Sequence, residues 1–340
     1  MPDTGPCDTA VESILARLRA SGTVPEGAVV EIHPLAGGVS SDVRRATWPG
    51  ASAVIKTALP RLRVEAVWEA PLERSENEVR WLRRARSIVM AAVPAVLADD
   101  PGAHVFAMED LASAPTWKAE LAAGRCDPDF AASVGALVAR IHATTAADAA
   151  TAAAFDTEAL FRALRVEPYL EATARARPEV AEPLAAIADD LLAIRCALVH
   201  GDLSPKNVLV TGRGPVFVDA ETAWWGDPAF DVAFADTHLL LKARWHPEFT
   251  DGYAACREAF ASAYVAGVDW EDPGALDARA ARLLPALLLA RVDGKSPVEY
   301  LDESGREATR HLAVEALRAG DSRSTADLAR TWYDDVRARV

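Results

Sequence analysis

Hydrophobic and polar residues alternate in short runs over the N-terminal third of the chain, and this alternation predicts β-strands. Val29–Leu35, Asp42–Trp48 and the run SAVIKTA around Lys56 follow one another, separated by small or turn-forming residues. Two further runs, Val93–Ala98 and His104–Met108, flank an Asp-Asp-Pro-Gly turn. The pattern predicts an antiparallel sheet.

Helical periodicity replaces the alternation further along the chain. Leu72–Arg86 has apolar residues at helical spacing among many charges. A second stripe at i, i+4, i+7, i+8 and i+11 comprises Phe130, Val134, Leu137, Val138 and Ile141. We therefore predict an α+β fold: a small N-terminal lobe, residues 1–110, with an antiparallel sheet and one helix, and a larger, mainly helical lobe, residues 111–340.

The segment HGDLSPKNVL, residues 200–209, carries the most specific chemistry in the sequence. It places Asp202 five positions before Asn207, a spacing typical of phosphoryl transfer, where the acid orients an attacking hydroxyl and the amide oxygen binds Mg²⁺. The apolar run that follows, PVFVD, predicts a buried strand that delivers a second metal ligand, Asp219. The pattern predicts a magnesium-nucleotide site.

The partners that such a site needs are found upstream in the expected order. Gly37 and Gly38 would allow close approach of the backbone to phosphate, and the hydroxyls of Ser40 and Ser41 could donate hydrogen bonds to it. Lys56 lies on the second predicted strand after this turn, SAVIKTA, where a lysine holds the inner phosphates of a nucleotide.

A helix glutamate should orient Lys56, and the predicted helix offers three candidates. Glu78 is preferred because its neighbours at i+1 and i+4 are Val79 and Leu82, which place it beside the buried stripe. Glu73 and Glu76 lie nearer the charged face, and Glu76 is the reserve candidate.

These motifs resemble the aminoglycoside phosphotransferase and choline kinase-like superfamily, over most of the chain. The marks are HGDLSPKN, VDAE at Asp219 and GDPAFDVA, which contains Asp231. KTALPRLRV and AMEDL are most similar to the methylthioribose kinase branch, whereas SPKN departs from the wording of that branch after the aspartate.

The resemblance implies a two-lobed protein-kinase-like fold that phosphorylates small molecules. It implies that Asp231 braces the catalytic loop and that the backbone of Glu109, Asp110 and Leu111 binds the purine edge. We expect His200 to be structural, because a histidine that leads the loop can fix its backbone. AETAWWGDP follows in place of an activation segment, which favours a small-molecule kinase.

Composition and charge favour a cytoplasmic enzyme, and we expect it to bind neither nucleic acid nor membrane. The 340 residues are 51% hydrophobic and 25% charged, and the net charge of −14 argues against a polyanionic partner. The start of the chain is polar and acidic, unlike an export signal, and the longest apolar run is too short to span a bilayer. The four cysteines form no CxxC pair, which favours reduced thiols. The oligomeric state is left open.

Much of the negative charge falls in the predicted larger lobe. Residues 121–340 carry 23 basic and 34 acidic side chains. The excess could attract a cationic acceptor, but an ordinary acidic surface also accounts for it.

Two features are candidates for the acceptor site. Trp224 and Trp225 follow the metal-binding strand and could stack on a sugar ring. Arg291, Asp293 and Lys295 lie in a polar turn after an apolar helix. Packing and capping are the alternative explanations for both groups.

The predicted function is transfer of the γ-phosphate of ATP or GTP, with Mg²⁺, to a hydroxyl of a small molecule. The expected acceptor is a sugar or a sugar-containing natural product such as an antibiotic. The alternatives are a metabolic sugar kinase of the methylthioribose kinase type and a pseudokinase that binds nucleotide without catalysis.

Overall fold

The computed structural model of the chain describes residues 6–35, 40–61, 70–320 and 324–339. Contacts divide the chain into a smaller unit, Met1–Pro115 with Val216–Glu221, and a larger unit, Thr116–Pro215 with Thr222–Val340. The sequence analysis placed its boundary at residues 110 and 111 and did not anticipate that Val216–Glu221 groups with the smaller unit.

The smaller unit is built on the antiparallel sheet expected from the alternating runs. Its elements are α1 (Pro6–Ala20), β1 (Glu31–Pro34), β2 (Ser41–Trp48), β3 (Ala51–Ala58), α2 (Arg74–Ile88), β4 (Val96–Asp100) and β5 (Val105–Glu109). The strands are ordered β1-β2-β3-β5-β4, and every adjacent pair is antiparallel. The predicted α+β fold class, with an antiparallel sheet in the N-terminal region, is confirmed.

Helix α1, which the sequence analysis did not anticipate, covers one face of this sheet. Ala10, Ile14 and Leu18 repeat every fourth residue and are buried. They share one apolar core with residues of the central strands, including Ile55 and Ala107. Burial of this stripe stabilises a short helix that propensity alone would leave marginal.

The other face of the sheet carries the first site residue. Successive side chains of a strand point to opposite faces, so Lys56 points away from the core that contains Ile55. Helix α2 contacts β3 and β5 and buries Val79 and Leu82. The alternation of β3 therefore directs Lys56 away from the α1 side of the sheet.

The larger unit is mainly helical. Its helices are α3 (Trp117–Ala122), α4 (Pro128–Thr145), α5 (Ala149–Ala154), α6 (Glu158–Phe161), a π-helix (Arg162–Glu171), α7 (Ala172–Ala176), α8 (Ala181–Ala193), α9 (Ala229–Trp245), α10 (Thr250–Val265), α11 (Pro273–Asp293), α12 (Glu303–Ala319) and α13 (Thr325–Ala338). Its short strands are β6 (Ala197–Val199), β7 (Val208–Thr211) and β9 (Trp224–Gly226), and β8 (Gly214–Phe217) leads into the smaller unit.

Helix α9 lies at the centre of the larger unit. Every residue from Ala229 to Ala243 is buried, and the helix contacts α10, α11 and α13. A helix that is buried on all sides normally carries few polar residues. The buried Asp231, Asp236, His238 and Lys242 on α9 therefore require explanations.

One close helix crossing fixes the framework around α9. Gly135 of α4 lies against α10, and a Cβ at this position would fall 2.3 Å from the carbonyl oxygen of Phe260. Only glycine allows this approach. Among the described residues, no helix is both long and apolar enough to cross a membrane.

Candidate active site

Lys56 and Glu78 form a buried ion pair in the smaller unit. Nζ of Lys56 lies 2.6 Å from Oε2 of Glu78, and both side chains are almost fully shielded from solvent. Glu73 is exposed, and Glu76 lies 3.5 Å from Nδ1 of His104. Of the three candidate glutamates, Glu78 is therefore the one that contacts the strand lysine.

Asp219 approaches the same lysine from the segment that follows β8. Its carboxylate accepts a hydrogen bond from Nζ of Lys56. The backbone of Asp219 adopts φ = 67°, in the left-handed region that residues other than glycine seldom occupy. Strain of this kind persists only where the surroundings enforce it, and it concentrates at functional sites.

A third carboxylate, Glu221, completes what we call the acidic cluster: Glu78, Asp219 and Glu221. One oxygen from each lies within 4.8 Å of the others, close enough for all three to bind one cation. Oε1 of Glu78 is buried and accepts no hydrogen bond from the described residues. A hard divalent cation prefers such oxygen donors, so the residues present fit the divalent metal that the sequence predicts.

The charges of the cluster act on one another. Burial alone would lower the pKa of Lys56, but the carboxylates of Asp219, Glu78 and Glu221 raise it above its usual value. Burial, with Asp219 and Glu221, raises the pKa of Glu78 despite the neighbouring Lys56. The shift of Lys56, and part of the shift of Glu78, reflect an excess of negative charge, which a bound cation would reduce.

Arg74, which the sequence analysis did not single out, joins this cluster to the ends of three segments. Its guanidinium is fully buried and lies 3.1 Å from Glu221. It also donates to the carbonyl oxygens of Ser40, Leu59 and Pro71. These bonds fix the start of α2, and hence Glu78, relative to the strands.

The predicted phosphate loop is only partly placed. Gly37 and Gly38 lie outside the described residues. Ser40 and Ser41 are buried, at 8% and 3% exposure, and the carbonyl of Ser40 accepts a hydrogen bond from the amide of Leu59. Their predicted contact with phosphate stays a prediction.

The predicted purine-binding segment follows β5. Asp110 is held by its side chain, which accepts from Oγ of Ser52 at 2.6 Å and pairs with Arg45 at 2.8 Å. The amide of Glu109 donates to the carbonyl of Ala95. The carbonyl of Leu111 accepts from Ala114. The segment is thus ordered by its own contacts, and its role towards a base stays a prediction.

In the larger unit, the segment from His200 to Asn207 forms a tight loop after β6. Gly201 has φ = 76°, and a Cβ there would lie 2.6 Å from the carbonyl oxygen of Thr222, so only glycine fits. Nδ2 of Asn207 donates to the carbonyl oxygen of Asp202 at 3.0 Å. This bond closes the loop and directs the amide group of Asn207.

Asp202 lies between two cations. Its Oδ2 is 3.0 Å from Nη2 of Arg165 and 3.2 Å from Nζ of Lys206. Its backbone amide donates to Nδ1 of His200 at 3.2 Å. The carboxylate is buried and held in one position, as a group that must orient a hydroxyl requires.

Asp231 holds the start of this loop through its backbone amides. Its carboxylate, fully buried, accepts from the backbone amides of His200 at 2.7 Å and Gly201 at 3.0 Å. Nε2 of His142 lies 3.3 Å from the same carboxylate. These contacts are those of a bracing residue, and the His200 ring likewise contacts backbone.

Arg165 and Lys206 were not singled out by the sequence analysis. Lys206 lies within the motif, four residues after Asp202. Arg165 comes from the π-helix, which also contains Pro168, and its Nε donates to the carbonyl of Gly201 at 2.5 Å. No local pattern marks Arg165, because its contacts with the loop are distant in sequence.

The stacking role predicted for Trp224 is wrong. Trp224 is fully buried, and its ring stacks on Phe161 with centroids 4.4 Å apart. A Cβ on Gly226 would fall 2.0 Å from the same indole. No face is left for a ligand. Trp225 is partly exposed, and its Nε1 donates to the carbonyl of Thr145 at 3.3 Å.

The other acceptor candidates are partly engaged in structural contacts. Asp293 pairs with Arg177 at 2.6 Å and with Arg310 at 2.9 Å. Lys295 pairs with Glu167 at 2.7 Å. Nη1 of Arg291 donates to the carbonyl and hydroxyl oxygens of Ser296 and to the hydroxyl of Tyr169. Of the three, only Arg291 forms no ion pair among the described residues.

Comparison with known proteins identifies the group to which this architecture belongs. The model of the phosphotransferase enzyme family matches residues 31–276. Methylthioribose kinase from Pectobacterium carotovorum subsp. carotovorum (strain PC1) is 28% identical over an alignment of 237 positions, which covers 61% of this chain and 58% of the relative. Methylthioribose kinase from Cronobacter sakazakii (strain ATCC BAA-894) is 29% identical over an alignment of 218 positions, which covers 55% of this chain and 54% of the relative. The chain thus spans a little over half the length of these relatives.

Solved structures agree with the fold. Choline kinase from Cryptosporidium parvum Iowa II aligns with a TM-score of 0.54 and 12% identity, over 91% of this chain and 96% of that one. Ethanolamine kinase from Plasmodium vivax aligns with a TM-score of 0.52 and 13% identity, over 86% and 84%. The family match covers well over half of the chain and includes Lys56, Glu78, Asp202, Asn207 and Asp219. The chain belongs to the phosphotransferase enzyme family.

Proposed function

We propose that this protein transfers the γ-phosphate of a nucleoside triphosphate to a hydroxyl group of a small molecule. The observation that carries the proposal is the buried Lys56–Glu78 pair next to Asp219 and Glu221, in a chain of the phosphotransferase enzyme family. One ammonium among three carboxylates suits the binding of phosphate oxygens together with a cation.

Each residue then has a distinct role. Lys56 binds the inner phosphates, and Glu78 and Arg74 position it. Asp202 accepts and orients the proton of the acceptor hydroxyl, while Asp231 keeps its loop in place.

The proposed cofactor is Mg²⁺. Asp219 and Glu221 are its candidate ligands in the smaller unit, and the sequence motif gives Asn207 as a further candidate. The metal would supply charge neutralisation on the phosphates when bound. ATP and GTP are both candidate donors, because the residue types at Glu109–Leu111 carry no pattern that favours one purine over the other.

A sugar or a sugar-containing natural product is the proposed acceptor. Resemblance to antibiotic kinases favours a product such as an antibiotic, and the methylthioribose kinase relatives favour a metabolic sugar as the second candidate. Among the solved structures, similarity at 12–13% identity supports the fold and leaves the acceptor open.

The direct test incubates the full chain with MgATP or MgGTP and a panel of hydroxylated acceptors, and follows the mass gain of one phosphoryl group. Transfer that requires the divalent cation is expected for at least one sugar-containing acceptor. A pseudokinase would bind nucleotide and neither transfer phosphate nor release it to water, and that result would refute the proposal.

A further inference from the structure

One face of helix α9 carries aromatic and basic residues that the proposed phosphate chemistry does not use. Phe234, His238, Lys242 and Trp245 recur at i, i+4, i+8 and i+11, so they lie along one face of the helix. His238 is 8% exposed and Lys242 is 1% exposed. This face of α9 therefore carries two buried ionisable groups, the His238 imidazole and the Lys242 amine.

Lys242 is a buried cation without a counter-ion. Its Nζ lies over the ring of Tyr300, 4.0 Å from the centroid, and 4.7 Å from that of Trp245. In the described parts of the chain it donates no hydrogen bond and pairs with no carboxylate. The carboxylate that acts on it, Glu299, is itself paired with Lys118 at 2.8 Å.

Three further basic side chains lie around Lys242. We call the set Lys118, His238, Lys242 and Arg291 the basic cluster. Burial, and then Lys118 and Arg291, lower the pKa of Lys242 to about 7 although Glu299 opposes this. Burial, and then the charges of Arg291, Lys242, Lys206 and Lys118, lower the pKa of His238 well below its usual value.

Two buried polar atoms of the same region also lack partners. Neither Nε of Arg291 nor the hydroxyl of Tyr300 has a hydrogen-bond partner among the described residues. Buried polar groups in native proteins are nearly always satisfied, and buried charges are nearly always paired. Several basic groups gathered around one carboxylate, Glu299, at such a place are typical of a ligand site.

The basic cluster adjoins the proposed base. Lys206 lies 3.2 Å from Asp202 and also acts on the His238 pKa. Arg165 contacts Asp202 and lies over the ring of Tyr169, whose hydroxyl accepts a hydrogen bond from Arg291. A molecule that reaches Asp202 with a hydroxyl could therefore place a second group at the cluster.

We propose that the acceptor carries an oxyanion, a carboxylate or a phosphate, which the basic cluster binds while Asp202 orients the hydroxyl. Tyr300, Tyr169 and Trp245 offer apolar surface for the rest of the molecule. The inference rests on the proposed function, and it reverses the cationic acceptor that the negative net charge of the chain suggested. The charge next to the site outweighs the distant surface charge because nearby buried charges are poorly screened.

The first test measures anion binding without any nucleotide or turnover. Thermal unfolding of the full chain is followed in sodium sulfate and sodium acetate, each against sodium chloride of equal ionic strength. Lys242→Met keeps the length of the side chain and removes its charge. Arg282→Gln is the matched control, because Arg282 is half exposed and pairs with Asp190 at the surface.

Sulfate should raise the melting temperature of the wild type and of Arg282→Gln more than that of Lys242→Met. Sulfate bound at the nucleotide site contributes equally to all three proteins and cancels. An equal shift in the three proteins would overturn the proposal.

The second test compares acceptors that share one pyranose ring and differ in the charge of a single substituent, at C6 or at C2. Glucose, glucuronate, glucose 6-phosphate and glucosamine are offered with MgATP to the same three proteins. We expect kcat/KM at least about tenfold higher for one or both anionic sugars than for glucose. Lys242→Met should lose that preference, so that its kcat/KM on the anionic sugars is no higher than on glucose, whereas Arg282→Gln should keep the preference of the wild type. Glucuronate and glucose 6-phosphate distinguish a carboxylate from a phosphate.

The two proposals fail separately. Preference for glucose or glucosamine, with normal transfer, would refute the anionic acceptor and leave the kinase function intact. Sulfate binding that depends on Lys242, in a protein that neither transfers nor hydrolyses the γ-phosphate, would refute the kinase function and leave the anion site.

Discussion

The two side chains assigned to the chemistry have opposite surroundings. Lys56 is an ammonium group beside three carboxylates, whereas Asp202 is a carboxylate between Arg165 and Lys206. Each charge is buried and held by groups of opposite sign, which fixes its position without solvent. Lys242 is different, because its neighbours are aromatic rings and other cations.

The isolation of Lys242 predicts a pH-dependent stability. Its pKa falls from an ordinary value near 10.5 to about 7 in the folded protein, because of burial and the charges of Lys118 and Arg291, with Glu299 opposing and His238 as a further titratable neighbour. Between these values the unfolded chain binds one more proton, so this residue makes the stability rise with pH from about 7 towards 10. Lys242→Met removes the effect.

The measurement is the melting temperature of the wild type and Lys242→Met between about pH 7 and about pH 10. The stability gained by the substitution should be largest near pH 7 and shrink as the pH rises. A difference that is constant over this range would show that Lys242 is already charged and compensated.

Trp224 gives a second prediction at this scale. Because it is fully buried against Phe161, Trp224→Ala should lower the free energy of unfolding by about 3–5 kcal/mol. Trp225→Ala, at a partly exposed position, is the control and should have a smaller effect. Urea unfolding measures both. Normal stability of Trp224→Ala with a raised KM for the acceptor would restore the stacking role.

At the scale of elements, three segments of the smaller unit set the positions of the site residues. Lys56 is on β3, Glu78 is in the second turn of α2, and Asp219 follows β8. Arg74, in the first turn of α2, ties that helix to the carbonyls that end the neighbouring segments. The position of Glu78 therefore depends on a residue that contacts no reactant.

Arg74→Gln should consequently destabilise the smaller unit. The substitution leaves Glu221 and several buried carbonyl oxygens without their partner, which corresponds to about 3–5 kcal/mol. Arg83→Gln on the same helix is the matched control, because Arg83 is 57% exposed and its pair with Asp99 should contribute little. Denaturant unfolding compares the two. Equal effects would contradict the assigned role of Arg74.

The segment after β8 predicts a metal-dependent effect. Asp219→Ala removes one of three carboxylates whose oxygens lie within 4.8 Å of one another. Nucleotide binding that is strengthened by Mg²⁺ in the wild type should lose that enhancement. Calorimetric titrations with and without the metal provide the measurement, and an unchanged enhancement would place the metal on other ligands.

For the whole molecule, the sequence predicted more of the fold than of the acceptor site. The alternation around Lys56 and the phase of Glu78 are local patterns, so they could be identified without coordinates. Helix α1 was missed although Ala10, Ile14 and Leu18 recur every fourth residue, because the start of the chain was considered only as a possible export signal. Glu221 lies two residues after Asp219 and could have been found from its type and position.

Contacts between distant residues set the limit. Arg74 reaches Glu221 across 147 residues, and Arg165 reaches Gly201 from a π-helix, so no periodicity marks either one. The residue type of Trp224 gave its size but not the Phe161 ring that covers it. The basic cluster likewise consists of side chains from α3, α9 and α11, and the net charge of −14 gives no indication of it.

The central claim is that Asp202 acts on the acceptor hydroxyl of a phosphoryl transfer reaction. Its most direct test is Asp202→Asn, which keeps the shape of the side chain and removes the charge. Turnover with the best acceptor of the panel and nucleotide affinity by calorimetry are measured on the same preparation. We expect turnover to fall by about 10²–10⁴-fold, with nucleotide affinity within about threefold of the wild type. Near-normal turnover would contradict the assignment of Asp202 and, with it, this account of the site.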